Sequence, residues 1–99
     1  MKNNQQKLAA DYHQQKMIFL DNLEPDDLRN GESFNQVGMI IDNIHQAFCN
    51  SIVIQKNPTE FLSKALDNLF REGSSAKAKV IDLTNIYLKM RQIDFVVKN

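Results

Sequence analysis

The chain has 99 residues, with 12 basic and 12 acidic side chains, a formal net charge of zero and one cysteine, Cys49. This size fits one domain with a modest core, and the balanced charge argues against a strongly electrostatic nucleic-acid binder while leaving room for a local basic face. A lone cysteine forms no internal disulfide and points to a reducing, cytoplasmic setting, the polar start Met1-Lys2-Asn3-Asn4-Gln5-Gln6-Lys7 leads into no apolar signal segment, and no apolar run nears a membrane span.

Three glycines and two prolines favour long helices over a turn-rich β fold. Residues 1–7 are polar and are expected to form a disordered tail. A first helix is expected over residues 5–22. Leu8, Tyr12, Phe19 and Leu23 fall near one stripe, with Met17 and Leu20 beside it. Its first half is polar and needs packing partners to stay helical. Glu24-Pro25-Asp26-Asp27 breaks it: proline suits the first position of a new turn, and the aspartates suit that turn's amino end. Asn30-Gly31 tolerates positive φ and ends the turn.

The stretch from Ser33 to Phe48 is the best-written element. Phe34, Val37, Ile41, Ile44 and Phe48 recur at spacings of three and four, which lays one apolar stripe along a helix. Ser33, with Gln36 three residues on, reads as a capping box. The helix is expected to end near Cys49 or Asn50, with Ile52-Val53-Ile54 as an extended linker; one long helix to Gln55 is the alternative. Asn57 then caps a third helix with Pro58 at its first position and Glu60 completing the start. Phe61, Leu62, Ala65, Leu66 and Leu69 form its buried face, and Gly73 is expected to end it.

The fourth helix is expected from Ala76 to Phe95, capped by Ser74 or Ser75. Val80, Leu83, Tyr87 and Met90, joined by Ile86, form one stripe. Ile81, Leu88 and Phe95 form a second, rotated by about a third of a turn or more. A helix needing burial on two sides is either central to its own bundle or contacts another chain. With few helices available, Ile81, Leu88 and Phe95 are expected to form a dimer or partner interface.

Candidate chemistry is sparse. His45 and Cys49 stand four apart on one helix and could begin a zinc site, with Asp42 as a third group. The other histidine is His13 and no second cysteine exists, so ordinary helix packing is the stronger reading. A Cys–His nucleophile pair on one rigid helix leaves little room for substrate and oxyanion hole. Asp26 and Asp27 are adjacent and read as helix-start charges. Gly31, Gly38 and Gly73 lie too far apart for a phosphate loop. Lys77, Arg91 and Lys98 share one side of the last helix, with Lys79 and Lys89 elsewhere around it. That side could touch phosphates but more commonly is a solvated face. Neither catalytic residues, cofactor nor metal are expected.

From Gly38 onward the chain resembles the AriR/YmgB family of enterobacterial biofilm and acid-resistance regulators. The resemblance rests on Gly38 with Ile41, Asn43 and Ile44, on Val53 with Lys56-Asn57, and on Phe61, Leu62, Leu66 and Leu69. It continues through Lys77-Ala78-Lys79-Val80-Ile81 with Thr84. The chain departs from that pattern in an extra N-terminal helix and a longer segment around Pro58. The resemblance implies a small helical homodimer, a non-enzymatic regulator that connects signalling systems through protein contacts and can also touch DNA. It supplies no catalytic residue.

The sequence therefore reads as a single all-α domain over residues 1–99, a small bundle of about four helices and a homodimer. The function expected is a regulatory adaptor that buries helix faces against a protein partner. Rival readings are a bacterial or phage immunity or anti-toxin bundle and a small DNA-binding regulator.

Overall fold

The computed structural model describes residues 2–54 and 57–98. These form α1 (Lys2–Asp21), a 3₁₀ turn (Pro25–Asp27), α2 (Phe34–Ile54), α3 (Pro58–Leu69) and α4 (Ala76–Met90). An isolated antiparallel bridge joins Leu28 to Phe70, and no strand occurs among the described residues. The chain is all-α, as its periodicity predicts.

Helix α1 begins at Lys2, so residues 2–7 of the expected disordered tail are helical. Its lysines and glutamines are good helix formers, and Gln5 Nε2 reaches the carbonyl of Met90 at 3.5 Å. The helix runs antiparallel to α4: Gln5 stands by Met90, and Tyr12 meets Tyr87 ring edge to face at 5.2 Å. Farther along, Phe19 and Asn22 share a groove wall with Lys79. Both ends of the connector after α1 are fixed. Glu24 N–H donates to Asp27 Oδ2 at 3.0 Å. Beyond the turn, Arg29 N–H donates to Leu69 O at 3.1 Å and Arg71 N–H to Asp27 O at 2.8 Å.

Helix α2 opens with the expected capping box. Gln36 N–H donates to Ser33 Oγ at 3.2 Å, and Ser33 N–H donates to Gln36 Oε1 at 2.8 Å. Val37, Ile41 and Phe48 are buried, whereas Phe34, at the first turn, is 43% exposed. The helix does not stop at Asn50 but continues through Ile54, so the linker reading of Ile52-Val53-Ile54 is corrected. Ser51 is buried and returns its hydroxyl to Phe48 O at 2.8 Å, which satisfies it without leaving the helix. The alternative end at Gln55, with Lys56 after it, lies outside the described residues.

Helix α3 is capped by Asn57, whose Oδ1 accepts from Glu60 N–H at 3.3 Å. It packs on α2 and buries Leu62, Leu66 and Leu69. It ends at Leu69, ahead of Gly73, because Phe70 turns extended to pair with Leu28 and sets its ring edge-on to Phe19 at 6.1 Å.

Helix α4 ends at Met90, so Phe95 is not on it. Gln92 takes φ 59°, Gln92 N–H donates to Lys89 O at 3.0 Å, and Ile93 N–H donates to Leu88 O at 2.9 Å. This is a Schellman stop with glutamine in the left-handed position that glycine usually holds. The segment after it folds back over the bundle. Asn85 clamps it, accepting from Val97 N–H at 2.8 Å and donating to Val97 O at 2.9 Å. Val97 is thereby buried, and Phe95 lies edge-on to Phe48 at 6.1 Å.

Gly38 stands where α2 crosses α1. A methyl there would sit 3.4 Å from Leu20 Cδ1 and 3.9 Å from Lys16 Cε, ordinary contact with flexible side-chain ends. Glycine inside a helix costs roughly 0.5–1 kcal/mol relative to alanine. Gly38→Ala is therefore expected to stabilise the fold by about that amount, seen as a higher urea midpoint at unchanged slope. A lower midpoint would show that the helix crossing tolerates no added carbon.

Candidate functional site

The described interior contains three buried polar side chains, His45, Ser51 and Thr84. Two of them belong to one chain of hydrogen bonds joining three helices. Tyr12 Oη of α1 lies 2.7 Å from His45 Nδ1 of α2, and His45 Nε2 lies 2.9 Å from Thr84 Oγ1 of α4. Thr84 donates its hydroxyl hydrogen to Val80 O at 2.8 Å. Its oxygen must then accept from His45 Nε2–H, which leaves Nδ1 bare to accept from the Tyr12 hydroxyl. The direction of every bond follows from that one carbonyl.

Aromatic rings close the knot. Tyr87 stacks on His45 at 5.0 Å and 25°, and Tyr12 sets its edge to His45 at 5.6 Å. Burial lowers the His45 pKa to about 4; Lys16 acts in the same direction, Asp42 against it. Burial, with Asp42 and Tyr87 nearby, pushes the Tyr12 hydroxyl upward, so it remains a donor. Beside the knot, Lys16 Nζ of α1 pairs with Asp42 Oδ1 of α2 at 2.6 Å.

This arrangement answers the metal and thiol readings. Both ring nitrogens of His45 are engaged by Tyr12 and Thr84, and Asp42 is engaged by Lys16. Cys49 is buried, and burial raises its thiol pKa, which disfavours the reactive thiolate. The three cations expected on one side of the last helix do not share it: Lys77 lies on α4, whereas Arg91 and Lys98 follow its end at Met90. Lys77 Nζ binds Asp67 Oδ1 at 2.7 Å and Ser63 Oγ at 2.9 Å. Arg91 Nη1 donates to Tyr87 Oη at 3.2 Å, while Lys98 stays exposed.

The interface residues expected from the sequence lie within the chain's own core. Leu88 has 0% exposure and Ile81 is 8% exposed. Phe95 is half-buried on the returning segment against Phe48. The second stripe is covered because α4 is walled by α1, α2 and the segment after Met90, so these three residues do not form an outward face on the single chain. An apolar surface instead occurs between α1 and α4. There Ile18, 46% exposed, and Ile86 flank a groove floored by Phe19 and Leu83. Gln15, Asn22, Lys79 and Asp82 line the same groove, whose volume is about 210 Å³.

His45 and Thr84 carry a signal in the sequence, whereas Tyr12 does not. His45 stands between Ile41 and Cys49, and Thr84 between Val80 and Leu88, each at a four-residue step in a buried column. No helix among the described residues is long and apolar enough to cross a membrane. No protein-family model, curated protein or solved structure gives a significant match to this chain.

Proposed function

We propose that the protein is a non-enzymatic regulatory adaptor that works in the cytoplasm through helix-mediated contacts, as a homodimer and with a further protein partner. The observation that carries this reading is the α1–α4 groove, where Ile18 and Ile86 leave apolar area in water beside Lys79 and Asp82. An amphipathic helix laid into it would cover the apolar strip and meet one charge of each sign on the rim. The polar groups of the interior support a structural role, since Tyr12, His45 and Thr84 are spent on one another and on Val80.

Affinity capture from native lysate tests the reading, with wild type, Ile18→Asp and Met39→Asp run side by side. Met39 is 67% exposed on α2 and is absent from the groove lining, so it serves as the control. The expected result is a partner band retained by Met39→Asp and reduced at least about tenfold by Ile18→Asp, the scale of a lost interface anchor. Sedimentation of the same proteins reads the dimer. A wild-type chain that sediments as a monomer and captures nothing defeats the proposal.

A further inference from the structure

We propose that α1 is a proton-released latch: Tyr12 ties it to His45, and uptake of a solvent proton at His45 Nδ1 frees it from α2 and α4.

The hold on α1 is uneven for a 20-residue helix: it packs on α4 more extensively than any other helix pair packs, and only narrowly on α2. Among its described side chains only Tyr12 and Phe19 are buried, and Leu8, Ala9, Lys16 and Leu20 are half-buried. A helix this polar owes its position to tertiary contacts more than to its own propensity. Among the described residues, Tyr12 on His45 and Lys16 on Asp42 are its side-chain hydrogen-bond ties to α2. Beneath Tyr12 lie His45 of α2 and Tyr87 of α4, with Thr84 on the far side of the imidazole.

The hydrogen-bond order makes this tie sensitive to protons. Nδ1 is the only bare nitrogen, because Nε2–H is committed to Thr84 and Thr84 to Val80. A proton on Nδ1 turns the acceptor into a donor facing the Tyr12 hydroxyl, which must swing its own hydrogen away from the ring toward Asp42. The new cation is fully buried and has a like charge, Lys16, on α1. Asp42 of α2, paired with Lys16 at 2.6 Å, outweighs that repulsion, so burial of the cation is what opposes the proton. From α4, the stacked Tyr87 ring offers partial compensation, with Arg91 lying over that ring at 5.9 Å. Cys49 follows His45 on α2 and is held toward its neutral form. Moving α1 aside rehydrates the imidazolium and separates it from Lys16. It also removes one wall of the groove between α1 and α4.

The test is hydrogen exchange of the wild-type protein at pH 7 and pH 5, corrected for intrinsic exchange rates and read in peptides from α1 and α3. With a His45 pKa of about 4 closed and 6.5 open, linkage predicts that α1 opening rises about 20-fold over that interval. Amides of α1 should exchange faster than those of α3 at both pH values, as expected of a local opening. His45→Gln should abolish the pH response of α1. Tyr12→Phe keeps the ring against Tyr87 and removes only the hydroxyl. It should open α1 at pH 7 toward the wild-type pH 5 level, and it reads the tie even where His45→Gln does not fold. The latch is overturned if α1 is as protected as α3 at both pH values, if α1 protection ignores pH, or if His45→Gln keeps the wild-type response.

Discussion

Leu88→Asp unfolds the protein at neutral pH. Leu88 has 0% exposure. Truncating a buried leucine costs about 2–5 kcal/mol through lost transfer energy and the cavity left behind. Aspartate adds an unpaired carboxyl in the same place, which must either stay charged in an apolar surround or take a proton and remain without a partner. Domains of this size hold only about 5–15 kcal/mol in total. The expected far-UV spectrum is that of a largely disordered chain. A helical monomer melting like wild type would mean that Leu88 faces solvent and that the interface reading of Ile81, Leu88 and Phe95 deserves a return.

The two-stripe pattern of α4 had two physical solutions, a central position in its own bundle or a second chain, and periodicity alone cannot choose between them. What decides is the path after Met90. A continuing helix would have kept Phe95 on the stripe of Ile81 and Leu88. The Schellman stop instead turns the chain back, and the Asn85 clamp seats Val97 beside α4. Sequence reading missed the stop because its left-handed position holds Gln92, without the glycine that usually marks one.

Other differences follow the same division between local and distant causes. The caps at Ser33 and Asn57 involve partners three residues away, and both form where the sequence places them. The early end of α3 depends on Phe70 pairing with Leu28, a residue far off in the chain, so no local signal announces it. Ser51 reads as a helix breaker by type but behaves as a helix member once its hydroxyl finds Phe48 O. The polar knot was half legible. His45 and Thr84 interrupt buried columns and could be flagged as polar groups requiring partners, whereas the choice of Tyr12 comes from how α1 crosses α2 and α4. The α1–α4 groove was less legible still, because Ile18 lies outside the main stripe of its helix.

Mild acid is expected to weaken the whole fold through His45. Its folded pKa is lowered to about 4 from 6.5. Above pH 6.5 the imidazole is neutral in both states and its contribution to stability is complete. As pH falls through 6.5, the unfolded chain binds a proton that the folded chain refuses. Stability then falls by about 1.4 kcal/mol per pH unit until the folded group itself titrates near pH 4. The total loss is about 3 kcal/mol, a large share of what a small domain holds. Urea unfolding of wild type and His45→Gln at pH 7, 6 and 5 isolates this contribution from that of the carboxylates, which both proteins share. The variant starts lower at pH 7 because it fits the pocket between Tyr12, Tyr87 and Thr84 less well. By pH 5 the wild type should have lost about 2 kcal/mol that the variant keeps, so the two curves converge or cross. Curves that stay parallel from pH 7 to pH 5 would mean that His45 takes up its proton equally in both states, which its full burial and two occupied nitrogens oppose.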